Sequence, residues 1–235
     1  MREMLIRLTA ILFMLSAGGC NNQNVLKSSV NDHIAIATTE SISTTERTLS
    51  EDEALPNIAV EAVPQTDGGY LAVFITNKNA ETVDYLELTV DFYDANGIIV
   101  SSETDTQDLI LPDSTVLSPI VCPTDYSKFE YHLSAEPNKY PNYCNRLPEL
   151  DIKQKRSSYG ETVSITNLSD RTVDVIEFIP VFYDKNNGII RACSEYPITN
   201  LGVMETFEQN CMFFGSYDHT EIYVNRAHSL NQPKQ

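Results

Sequence analysis

Ile75-Thr76-Asn77 recurs as Ile165-Thr166-Asn167, and one offset of 90 positions carries a whole stretch of the chain onto another. Thr82-Val83-Asp84 falls on Thr172-Val173-Asp174, Glu87 on Glu177, and Phe92-Tyr93-Asp94 on Phe182-Tyr183-Asp184. Half of the 20 positions from Ile75 to Asp94 are identical at that shift. One inserted residue, Asn187, then aligns Gly97-Ile98-Ile99 with Gly188-Ile189-Ile190. Further on, Cys122 falls near Cys211 and Phe129-Glu130-Tyr131 near Glu221-Ile222-Tyr223. A tandem duplication of this kind means one structural unit used twice.

Each copy reads as strands. Leu86, Leu88, Val90 and Phe92 alternate with Tyr85, Glu87, Thr89 and Asp91, the period of a half-buried strand. Asp94-Ala95-Asn96-Gly97 is a turn, because Asn and Gly tolerate positive φ, and Ile98-Ile99-Val100 resumes as a hairpin partner. Tyr70 to Ile75, Val116 to Val121 and Phe129 to Leu133 supply further strands, and no segment carries helical periodicity. Short strands separated by turn signals predict an all-β protein of two tandem β-sandwich domains, at residues 55–136 and 148–229, with a linker at 137–147 and a tail at 230–235.

The copies differ on one face. Opposite the core stripe Ile176, Phe178 and Phe182 lie Val173, Val175, Ile179 and Val181, where the first copy has Val83, Tyr85, Thr89 and Asp91. Val175, Ile179 and Val181 are therefore a candidate contact surface, against the first domain or a partner. Pro180 in the same strand lacks an N–H and predicts an edge or a bulge.

The amino terminus carries a different message. Arg2 and Arg7 precede an apolar run from Leu8 to Leu15, then Ser16-Ala17-Gly18-Gly19 and Cys20. A positive start, a short apolar core and small residues before a cut site mark a secretory signal over residues 1–20. The run is shorter than the roughly 20 residues needed to span a bilayer. Cys20 directly after Gly18-Gly19 resembles a lipobox, with Ala17 at the position where leucine is usual. That resemblance implies cleavage before Cys20 and a diacylglyceryl group on its thiol. Residues 21–54, rich in Ser, Thr, Asn and Glu, bury too little apolar surface to offset their ordering entropy and read as a disordered tether.

The net charge of −17 opposes nucleic-acid binding, which needs cations to neutralise phosphates, and it favours solubility outside the cell. The charge is uneven: Leu55 to Glu136 holds fourteen carboxylates against Lys78 and Lys128, whereas from Arg146 onward twelve carboxylates face nine basic residues. Beyond Cys20 stand Cys122, Cys144, Cys193 and Cys211. An oxidising compartment makes disulfides the expectation. Three pairings exist; one bridge per repeat, Cys122–Cys144 and Cys193–Cys211, closes the shortest loops.

An Asn-ended strand, a Thr-Val-Asp strand start, Phe-Tyr-Asp and then Asn-Gly resemble the FxLYD-type and related immunoglobulin-like modules of bacterial lipoproteins. Tyr93-Asp94 and Tyr183-Asp184 match, while Val90 and Pro180 stand where the family has its leading Phe. The resemblance covers both copies, implies immunoglobulin-like β-sandwiches, and carries over no functional residues.

No nucleophile, phosphate-loop or zinc-protease motif is present, and His132 and His219 do not occupy matching repeat positions. The acidic turn from Asp91 to Gly97 is the best metal candidate, but its spacing misses the EF-hand pattern, and its copy holds Lys185. The expectation is a membrane-anchored protein facing outside the cytoplasm, held through lipid on Cys20. It is a non-enzymatic binding or scaffold protein with no cofactor, no metal and no small-molecule substrate, and its partner is an exported protein or the envelope. The alternative is a calcium-dependent surface adhesion module.

Overall fold

The computed structural model describes residues 54–66, 69–137 and 139–230. The expected signal peptide, Cys20 and the expected tether as far as residue 53 lie outside them. No helix among the described residues is long and apolar enough to cross a membrane.

The described chain is all-β. The first repeat contributes β1 (Ile58–Pro64), β2 (Tyr70–Asn77), β3 (Val83–Tyr93), β4 (Ile99–Ile110), β5 (Thr115–Val121) and β6 (Lys128–Ala135). A short strand, β7 (Tyr143–Asn145), follows. The second repeat contributes β8 (Leu150–Ser157), β9 (Gly160–Asn167), β10 (Val173–Tyr183), β11 (Ile189–Ala192), β12 (Tyr196–Leu201), β13 (Thr206–Met212) and β14 (His219–Leu230). Both β2/β9 and β3/β10 begin and end at the 90-residue offset.

In the first repeat the strands form two sheets, β1-β2-β5 and β4-β3-β6. Leu71, Val73 and Ile75 from one and Leu86, Leu88, Val90 and Phe92 from the other join a single apolar core. In the second repeat β8-β9-β13 stands opposite β10, which is flanked by β11 and β12 on one side and by β14 on the other. Val163 and Ile165 share its core with Ile176, Phe178 and Phe182. β7 extends this second sheet by pairing with β14.

The repeated motifs have local physical reasons. Asn77 is fully buried; its Nδ2 donates to the carbonyls of Ile110 and Glu81, both at 2.9 Å, and its Oδ1 accepts from Asn79 N. Asn167 does the same for Leu201, Arg171 and Ser169. A buried amide satisfied on every side staples the end of the strand to the next loop. At the hairpins, Asp94 Oδ1 accepts from the N–H groups of Asn96 and Ile98, as Asp184 Oδ1 does from Asn186 and Gly188.

These hairpin bonds correct the alignment. Gly97 (φ 80) and Asn187 (φ 63) occupy the same left-handed position, so Asn187 is a replacement and not an insertion. Asp91 pairs with Ser102 as Val181 pairs with Ala192, still at 90; Leu88 pairs with Asp105 but Phe178 with Tyr196, an offset of 91. The extra residue therefore lies within Cys193–Glu195, where the long strand β4 of the first repeat is replaced by the separate β11 and β12. Pro180 faces that break. Its carbonyl accepts from Cys193 N, so its missing N–H points to the same interrupted side. The proline sits in a central strand, not at an edge, because its neighbour on that side is broken.

Candidate functional site

The two repeats meet along one face, and the meeting uses residues that differ between them. Ile179, Val181, Tyr183, Ile189 and Ala192 of the second repeat form one buried cluster with Ala72 and Leu117 of the first, with Val63, Phe74 and Tyr223 packed against it. The Phe74 and Tyr223 rings lie 5.2 Å apart at an angle of 58°. Of the three residues expected to form a contact surface, Ile179 and Val181 are completely buried here. Val175 is only half-buried and outside the cluster. Val173 belongs to the core of its own repeat. Ile179 and Val181 are thus covered within the chain by the first repeat.

The contact is heterologous, and its outer ends are polar. The positions matching Ile179 and Val181 are Thr89 and Asp91, whose side chains bond to Thr104 and Ser102. Those matching Ala72, Phe74 and Leu117 are Thr162, Ser164 and Glu208; Thr162 bonds to Asn210, and Ser164 to Glu208. The outer faces are therefore polar at the positions where the junction is apolar, as on the capping repeats of repeat proteins.

A polar rim surrounds the apolar contact. Asn225 Oδ1 accepts from Leu117 N at 2.9 Å while its Nδ2 donates to Leu117 O at 2.8 Å. Gln65 Oε1 accepts from Ala192 N, Thr66 N donates to Ile189 O, and Asn145 Nδ2 donates to Leu109 O. Arg226 bridges the repeats, with Nε 3.0 Å from Asp108 Oδ1 and a terminal nitrogen 3.0 Å from Glu177 Oε2. Burial opposes the charge on Arg226, but Asp108, Glu177 and Glu195 outweigh it and hold its pKa above the ordinary value. His228 Nε2 stands 3.4 Å from Asp108 Oδ1 without a hydrogen bond. Burial pushes the His228 pKa down, against the pull of Asp108.

A cleft of about 200 Å³ opens beside this rim, lined by Glu103, Asp105, Glu195 and Asn225 above Pro119 and Ile179. Burial and the nearby Glu177 raise the pKa of Glu195. Among the described residues no group of three His, Cys, Asp or Glu side chains is arranged to hold a metal. In the acidic turn, Asp94 is committed to backbone N–H groups, that of Ile98 foremost, and these hold its carboxyl below the usual range.

The cysteines depart from the expected pairing. Among the described residues no disulfide joins Cys122, Cys144, Cys193 and Cys211 to one another. Cys122 N bonds to Gly69 O, and the Cys122 side chain packs with Tyr126 near Phe92, at the Tyr93 end of β3. Cys144 lies opposite Ser229, beside Asn145 and its partner Leu109, at the Val83 end. Ten residue steps of strand separate those ends, roughly 33 Å, whereas a bridge needs Cα atoms within about 7 Å. The Cys122–Cys144 bridge is excluded. Cys193 and Cys211 do share one core. Burial, with Cys193 as a second cause, pushes the Cys211 thiol up to about 12.

Residues that sequence patterns did not single out carry most of this junction. Asn225, Arg226, Asp108 and Gln65 are polar residues in strands or loops with no motif around them, and only their burial distinguishes them. The chain matches no model of a known protein family, and no curated protein matches it.

Proposed function

We propose that the chain is a lipid-anchored, extracytoplasmic, non-enzymatic binding or scaffold protein. In this reading Cys20 carries the lipid, and two immunoglobulin-like sandwich domains of the lipoprotein type present a fixed surface to an exported protein or to the envelope. The observation that carries the proposal is the junction itself. An apolar contact rimmed by Asn225–Leu117 and Arg226–Asp108 bonds holds the two repeats in one orientation. A pair of repeats fixed in this way, with Arg226 bridging Asp108 and Glu177, suits presentation of a surface in a constant geometry.

Two measurements test this. Metabolic labelling with a palmitate analogue should mark the parent chain and leave the Cys20→Ala chain unmarked; equal labelling of both removes the anchor. Photo-crosslinkers placed on the exposed hairpin residues Ile98 and Val100 in the native cell should recover one recurrent envelope partner, and a diffuse background of products sinks the scaffold role.

A further inference from the structure

Exposed apolar residues of the second repeat stand at both of its ends: Leu168, Val203 and Met204 at one, and Tyr159, Met212 and Phe214 at the other, where the β8–β9 turn meets the loop after β13. Phe214 is 80% exposed, Tyr159 65% and Met212 61%, and the rings of Tyr159 and Phe214 lie 5.9 Å apart. This is not a loose end. Phe213 N donates to Tyr159 O at 2.8 Å, and Tyr217 donates its hydroxyl proton to Gly160 O at 2.6 Å. Phe182 packs 4.8 Å from both Phe213 and Tyr217. Gly160, at φ 132, has no room for a side chain, since a Cβ would lie 2.1 Å from Cys211 O. A braced framework thus holds Phe214 outward although Phe213 beside it packs inward.

Two arginines lie over the aromatic framework that braces this tip. The Arg156 guanidinium lies 4.0 Å over the Tyr217 ring and that of Arg191 lies 5.8 Å over Phe213, while Lys155 is exposed on β8. Arg156 and Glu161 are paired with each other, Arg156 also donates to the carbonyls of Tyr217 and Asp218, and Asp218 stands beside His219. Solution charges farther away than about 8–10 Å are screened, so the local balance governs contact with a charged surface. Exposed aromatics and a thioether with Arg and Lys on the framework behind them match the lipid–water interface, where apolar tips enter and cations meet anionic headgroups.

The chain outside the structure allows this contact. It enters the first repeat at Ala54, bonded to Asn79 at the end of the strands opposite the tip. The repeats lie side by side in the same sense, since Thr66 meets Ile189 at one end and Leu109 meets Asn145 at the other. From Cys20 to Ala54 the contour is at most ~120 Å, well beyond the ~35 Å length of the strands.

We propose that Tyr159, Met212 and Phe214 form a lipid-contacting tip that enters the headgroup region of the membrane holding Cys20. The proposal rests on the anchored reading above. The chain has no tryptophan, so Phe214→Trp introduces a single reporter, and Met204→Trp places one on a loop at the far end, where Met204 is 67% exposed. Each full chain is mixed with an excess of phosphatidylcholine–phosphatidylglycerol vesicles carrying brominated acyl chains. The expected result is quenching and a blue shift at position 214 with neither at 204, diminished in phosphatidylcholine alone and in the Lys155→Ser chain. No quenching at 214, or equal quenching at both positions, overturns the tip. So does a blue shift at 214 that follows protein concentration without lipid, which marks contact with a second copy. The acyl mass on the Cys20 peptide reads the anchor separately, and its absence leaves the quenching result interpretable because vesicles are in excess.

Discussion

The side-chain amide of Asn225 serves Leu117 as a neighbouring strand would, accepting from its N–H at 2.9 Å and donating to its C=O at 2.8 Å. The two residues are 108 positions apart and belong to different repeats. Leu117 is fully buried and lies in an edge strand of its sheet, so without Asn225 both backbone groups lose their partner away from water.

Asn225→Ala should therefore destabilise the chain by roughly 1–3 kcal/mol, the range for a buried polar group left unsatisfied. Asn225→Asp keeps the acceptor but loses the donor to Leu117 O and sets a carboxylate against Glu195, so it should be no better tolerated. Denaturant midpoints check both, and a midpoint equal to the parent's contradicts the role.

Ile179→Ala should cost about 2–5 kcal/mol, as for other buried large-to-small changes, whereas the matching Thr89→Ala in the first repeat should change little. Ile179→Asp buries an unpaired charge between the repeats and should split the thermal unfolding into two transitions. A single transition at the parental midpoint sets that expectation aside.

Stability should fall as the pH drops below neutrality. The folded pKa of His228 lies below its ordinary value because burial disfavours its charged form. The unfolded chain therefore binds the proton first. The contribution is fully present above the unfolded pKa of about 6.5 and is lost as the pH falls toward the folded pKa. The groups facing His228 are Asp108 on β4, Tyr143 on β7, Arg226 on its own strand, and Asp84. In His228→Asn the slope of stability against pH should flatten between pH 7 and 5; an unchanged slope assigns the effect to the carboxylates.

Peptide mapping without reduction should yield no peptide joining Cys122 to Cys144, since the strand length of β3 lies between them. Cys211, with its thiol pushed up to about 12, should resist alkylation in the folded chain at neutral pH, because the thiolate is the reactive form. Rapid labelling of Cys211 without unfolding contradicts that placement.

Much of the architecture was legible in the residues themselves. The alternation from Tyr85 to Phe92 is a strand's period, Asp94 to Gly97 is a hairpin turn, and a tandem repeat identical at half of 20 positions requires a similar unit twice. The I-T-N motif was visible as a repeat, but its reason, an amide buried under a loop, was not.

By itself, then, the sequence determined the all-β character, the duplication and most strand positions, because side-chain period and turn chemistry are properties of adjacent residues. Only the tertiary structure decided that Ile179 and Val181 cover Ala72 and Leu117, that Cys122 and Cys144 sit at opposite ends of a strand, and that the extra residue lies opposite Pro180. Those relationships join residues far apart in the chain. They follow from which faces pack together, and packing is set by shape, burial and hydrogen-bond satisfaction across the whole molecule, not by any local pattern.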